Sequence, residues 1–152
     1  MNANANFSVT ALNKPFNTIS IKLAMLSLAL AFSMFFVSVA DADAEFKVQD
    51  VSAAQAMELL QNNPEIKILD VRTGFEFNRG HLKDAINLNY YSRKFKDELS
   101  KLDKNTTWLV HCRSGVRSSK TMPIMKRAGF TNIIHLTGGI NDWNKAGLPV
   151  IK

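Results

Sequence analysis

From residue 46 to the C-terminus, short runs of strand length alternate with runs of helix length. Phe46-Lys47-Val48 reads as a short first strand, and Ile66 to Val71 as a strong one. Ala85 to Leu88, Thr107 to His111 and Ile133 to Leu136 complete the strand set. Between them, Ser52-Ala53-Ala54-Gln55 has the pattern of a capping box, in which a hydroxyl and an amide side chain satisfy each other's exposed N–H groups. It opens a helix through Leu60 that ends at Asn62-Asn63-Pro64. Thr73-Gly74-Phe75-Glu76 is a second such box, with Gly80 as a fitting stop. Further helices are expected over Arg93–Leu102, Ser118–Ala128 and Ile140–Lys145. Strands that alternate with helices predict βαβ units, hence an α/β fold with a parallel sheet and helices on both faces. In such sheets, ligands bind beyond the carboxyl ends of the strands.

One of those ends carries the only cysteine of the 152-residue chain. Cys112 follows the run Thr107–His111 and opens the loop Arg113-Ser114-Gly115-Val116-Arg117-Ser118. At a strand-to-helix turn, backbone N–H groups converge and the next helix presents its positive end, so a thiolate is favoured there. Arg113 and Arg117 add positive charge. Gly115 is placed to supply a positive φ that other residues resist. The loop therefore reads as an anion cradle with a nucleophile at its floor.

The first 44 residues read differently. Residues 1–40 hold no Asp or Glu, and Lys22 precedes an apolar run from Leu23 to Ala40. Small residues then recur in A-x-A spacing through Ala44, the layout of a secretory signal. The expectation is a signal peptide over 1–44, with cleavage after Ala44 in preference to Ala40, and a single domain over 45–152. An uncleaved anchor is the alternative, since the apolar run is near the minimum of the roughly 17–25 residues that a membrane span needs. The signal points to a periplasmic or secreted protein. Lys14 and Lys22 are balanced by Asp41 and Asp43, so the whole net charge of +6 belongs to residues 45–152. These charges are scattered. They form no basic stripe with interleaved aromatics, which argues against nucleic acid and suits small anionic substrates. A single cysteine cannot form an internal disulfide.

Four ordered segments resemble the rhodanese family. They are Leu69-Asp70-Val71-Arg72 with Glu76-Phe77; Gly80-His81-Leu82 through Leu88; His111 through Ser118; and Gly138-Gly139-Ile140-Asn141-Asp142-Trp143 with Gly147-Leu148-Pro149-Val150. Asp84 stands where the family usually has Gly, and Asp tolerates left-handed backbone better than most residues. The resemblance implies a single rhodanese-like domain with a five-stranded parallel sheet. With the export signal, it resembles the small periplasmic sulfurtransferases of bacteria.

The resemblance also implies the chemistry. Cys112 is the expected catalytic residue, taking the outer sulfur of thiosulfate as a persulfide and passing it to cyanide or a thiol. Arg113, Ser114, Gly115, Val116, Arg117 and Ser118 are the expected substrate-binding residues, the arginines attracting the anionic donor. Members with a basic residue right after the cysteine tend to use thiosulfate, and Arg113 fits them. No cofactor is implied, and the three histidines and one cysteine lack metal-ligand spacing. Asp70 and Arg72, with Glu76, are expected to brace the sheet end. His111 should point away from Cys112, because adjacent strand residues face opposite sides. His81 and His135 are expected to make structural hydrogen bonds, and Trp143 and the phenylalanines to be core.

Two other functions stay open from sequence. Cysteine phosphatases also place a His-Cys pair before an amide cradle and a closing arginine, but with five intervening residues. Here four separate Cys112 from Arg117, a smaller cradle suited to one sulfur. The second alternative is a persulfide carrier or sulfide-sensing module that binds a partner protein.

Overall fold

The computed structural model describes residues 45–152; the signal segment expected over 1–44 lies outside the described residues. The strands are β1 (Lys47–Val51), β2 (Lys67–Asp70), β3 (Ala85–Asn87), β4 (Trp108–His111) and β5 (Asn132–Leu136). The helices are α1 (Ala53–Asn62), α2 (Gly74–Asn78), α3 (Phe95–Ser100), α4 (Val116–Arg127) and α5 (Gly139–Lys145). All strand pairs are parallel, in the order β1-β5-β4-β2-β3. The five-stranded parallel sheet agrees with the sequence-based expectation. β4, the strand that delivers Cys112, is flanked on both sides and fully buried.

The two-residue side-chain period splits the apolar residues between two cores. Val51, Ile68, Leu109, Ile134 and Leu136 pack with α1 and α5 on one face, around Ala56, Ile140 and Trp143. Leu69, Val71, Trp108, Val110, Cys112 and Ile133 pack with α3 and α4 on the other, around Phe95, Leu99 and Met125. Burial of each large apolar side chain contributes about 1.5–3 kcal/mol, so both helix layers are held mainly by these contacts. Both buried indoles keep a partner: Trp108 Nε1 donates to the Asp103 carbonyl at 2.8 Å, and Trp143 Nε1 to that of Pro149 at 3.0 Å.

Several boundaries differ from those expected. β1 extends to Val51, because this edge strand pairs with β5 over five residues despite its exposed side chains. α3 is trimmed to Phe95–Ser100, with Phe95 and Leu99 as its buried anchors. α4 begins at Val116, two residues before the expected start, because Gly115 in the left-handed region (φ 87°) turns the chain straight into the helix without a side-chain cap. Phe75 is not core: it is 72% exposed, with the Arg79 guanidinium 5.2 Å from its ring centre.

Candidate active site

Cys112 is the first residue after β4, and its side chain shares a sheet face with Val110. It is 1% exposed. Burial alone pushes the thiol pKa up. The backbone N–H groups of Ser118, Ser114 and Arg117, with the Ser118 hydroxyl, outweigh that and bring it below the ordinary value. Ser118 Oγ lies 3.6 Å from Sγ. The thiolate is thus held by neutral dipoles.

The cradle keeps its shape because two other segments grip it. Gly115 turns at φ 87°, and a Cβ placed there would clash with the carbonyl oxygen of Thr137. At the start of α5, the Ile140 N–H donates to the Cys112 carbonyl at 2.9 Å and the Asn141 N–H to that of Arg113 at 3.0 Å. Gly139 lets α5 approach this closely: its Cβ would lie 2.6 Å from the Arg113 carbonyl carbon. The segment after β5 therefore sets the position of the loop after β4.

Arg117 turns to α2, where Nη1 and Nη2 each bond one Glu76 carboxylate oxygen at 2.7 Å. Its guanidinium also lies 5.8 Å from the Tyr91 ring centre. Glu76 Oε2 accepts from the Thr73 N–H at 3.0 Å, closing the capping box. Hydrogen bonding to Arg117, against some burial, lowers the Glu76 pKa from 4.5 to about 2. The matching effect of Glu76 raises that of Arg117. A carboxylate with a depressed folded-state pKa stabilises the fold above its ordinary pKa and loses that contribution as pH falls through the depressed one. The full shift corresponds to about 3 kcal/mol; partial exposure of both partners brings the expected effect nearer 1 kcal/mol. Urea unfolding of wild type and Glu76→Gln should therefore differ at pH 7, with the gap closing between pH 4.5 and about 2. A constant gap would contradict the pairing.

On the opposite sheet face, Arg72 Nε and Nη2 bond the Asp70 carboxylate at 2.6–3.0 Å, and Nη2 also bonds the Gly80 carbonyl at 2.8 Å. Asp70 is 0% and Arg72 5% exposed. Beside them His111 is also fully buried, with Nδ1 donating to the Cys112 carbonyl at 3.2 Å and Nε2 lying 3.6 Å from Asp70 Oδ2. Burial lowers the His111 pKa, keeping the ring neutral.

The family model of the rhodanese-like domain matches residues 52–146. The chain belongs to the rhodanese-like domain family. It is 34% identical over 100 residues to an uncharacterised protein of Synechocystis, which covers 66% of this chain and 55% of that protein. The chain thus spans about half the length of that relative. It is also 31% identical over 102 residues to the thiosulfate sulfurtransferase GlpE of Actinobacillus pleuropneumoniae, covering 66% of this chain and 91% of that one. Among solved structures, a rhodanese-related protein of Thermoplasma volcanium superposes with a TM-score of 0.59 at 27% identity, covering 68% of this chain and 97% of that one. The family and the Actinobacillus relative support sulfur transfer as the general chemistry.

Within the rhodanese-like frame, the expected loop residues separate. The amides of Ser114, Arg117 and Ser118 face Sγ. Gly115 shapes the backbone, and the side chain of Val116 is 58% exposed on the rim. Arg113 is exposed and lines a cleft of about 400 Å³ with Arg72, Arg79 and Lys152. Asp70 and Arg72 pair with each other, and Arg72 with the Gly80 carbonyl, but Glu76 does not join them. It pairs with Arg117 instead. Sequence reading left unassigned the partner of Arg117 and a contact from β5: His135 Nε2 lies 3.0 Å from Ser118 Oγ. The capping box gives Glu76 a local role, and nothing in a single sequence reports the distance between residues 76 and 117.

Proposed function

We propose that this chain is a sulfurtransferase that takes sulfane sulfur from thiosulfate onto Cys112 and passes it to cyanide or a thiol. The observation that carries this reading is the Arg113–Ser118 loop, whose Ser114, Arg117 and Ser118 N–H groups aim at one buried sulfur. Cys112 thiolate attacks the outer sulfur of thiosulfate, the S–S bond breaks, and sulfite leaves with the bonding pair. The persulfide that remains is an anion of one extra atom, held by the same dipoles. An acceptor such as cyanide attacks the outer sulfur, leaves as thiocyanate and regenerates the thiolate. Arg113, at the exposed side of the loop, attracts the donor, while Arg117 is neutralised by Glu76 and positions the cradle. Thiosulfate is favoured by the basic residue after the cysteine and by the likeness to the Actinobacillus enzyme. Residues 1–44 are proposed to export the domain to the periplasm.

Intact mass tests the reading. Thiosulfate should add one sulfur atom to the protein, and cyanide should remove it as thiocyanate. Absence of the adduct, or turnover of a phenyl phosphate in its place, would overturn it. An adduct that small acceptors discharge only slowly would favour the carrier reading.

A further inference from the structure

A chain of side chains runs from the thiol across two strands to the sheet edge. Ser118 Oγ lies 3.6 Å from Cys112 Sγ and 3.0 Å from His135 Nε2. His135 Nδ1 lies 2.9 Å from Asp50 Oδ1. Asp50 and His135 are register partners on β1 and β5, so the parallel pairing sets the two side chains side by side on one face. His135 is 5% exposed and Ser118 0%, whereas the Asp50 side chain is 69% exposed.

Proton counting gives this chain a direction. A carboxylate only accepts, so Nδ1 of His135 carries a proton. In the neutral ring Nε2 is then an acceptor and needs the hydroxyl proton of Ser118. That hydroxyl has one proton and three acceptors around it: Nε2, the Gly115 carbonyl at 2.9 Å, and Sγ. It can donate to a thiolate while still bonded to His135 only if Nε2 is protonated. A neutral thiol thus goes with a neutral imidazole, and a thiolate with an imidazolium.

We propose that Asp50 and His135 are positioning residues for Cys112, accepting its proton through Ser118 and turning the Ser118 hydroxyl toward the thiolate. In this step the Sγ–H bond breaks and Ser118 Oγ takes that proton while its own passes to Nε2. The products are a thiolate and an imidazolium whose Nδ1–H donates to Asp50. No oxidant, metal or further reactant enters. Among the described residues, Arg117 also couples to Cys112, and its charge is paired with Glu76; His111 lies on the opposite face. The inference rests on Cys112 being the nucleophile, but not on thiosulfate being the donor.

The test is the pH profile of Cys112 alkylation by iodoacetamide, which requires no sulfur donor. In Asp50→Asn the midpoint should move up by about one unit, a tenfold slower reaction on the rising limb. Asp50→Glu should restore it, and His135→Gln should move it at least as far. Asp50 is largely exposed, so Asp50→Asn keeps its fold even if the buried His135→Gln does not. A midpoint unchanged in Asp50→Asn overturns the proposal, as does a rate lowered equally at every pH, which is the mark of a merely structural contact. Wild type that alkylates as expected but gains no sulfur from thiosulfate would instead overturn the functional reading alone.

Discussion

Cys112→Ser should take up no sulfur from thiosulfate and release no thiocyanate. Three backbone N–H groups aim at the atom at this position, and an oxygen there would receive the same bonds. The chemistry nevertheless stops. A serine hydroxyl stays protonated where the cradle can ionise a thiol, and the step requires a thiolate. An oxygen also does not form the S–S bond in which the transferred atom is carried. The fold should survive, because buried polar groups are tolerated when they are hydrogen-bonded, and this hydroxyl would inherit the amides and Ser118. Loss of transfer at an almost unchanged unfolding midpoint would therefore report chemistry. Intact mass, thiocyanate formation and urea unfolding on the same preparation make the comparison. Any sulfur adduct on the variant would place the acceptor atom elsewhere in the chain.

The parts of this molecule that sequence reveals are those whose cause is local. β4 opens on the unbroken apolar run Trp108-Leu109-Val110 and β2 holds Ile68-Leu69, as strands buried on both faces tend to, and Cys112 lies directly after β4. Both capping boxes form between residues three apart, and the structure has each of them. Asp84 takes φ 61°, in keeping with an Asp where a Gly is usual. What sequence hides depends on register and crossing. Gln49 and Asp50, polar residues beyond the expected strand Phe46–Val48, are paired edge residues of β1. The order β1-β5-β4-β2-β3 puts the first strand beside the last, and only that order gives Asp50 and His135 to each other. His135 makes hydrogen bonds, as its residue type suggests, but to partners 17 and 85 positions away. The start of α4 is hidden for a different reason. Its cap is a glycine conformation, not a side chain, so no Ser, Thr, Asp or Asn marks it.

That glycine is also where one added carbon should do most damage. Gly115→Ala must hold a Cβ at φ 87°, a left-handed conformation that costs a non-glycine residue about 1–2 kcal/mol. The added carbon also overlaps the Thr137 carbonyl and lies 2.8 Å from its carbon. Thr137 is backbone at the β5–α5 turn, so a rotamer change cannot relieve the clash. Either the cradle lifts away or the turn is pushed back, and the turn leads into the α5 amides that hold the Cys112 and Arg113 carbonyls. Both movements spoil the aim of the amides at Sγ. A misplacement of about 1 Å can cost about 10²-fold in rate, and a loss of sulfur transfer of that order is expected here. Overpacking should add about 1–3 kcal/mol of destabilisation. Gly147→Ala is the matched comparison, because Gly147 also has positive φ (67°) but nothing within 4 Å of its Cβ position. It should lose stability through backbone strain alone and keep wild-type transfer. Equal transfer rates in the two variants would show that the cradle is not held against the β5–α5 turn.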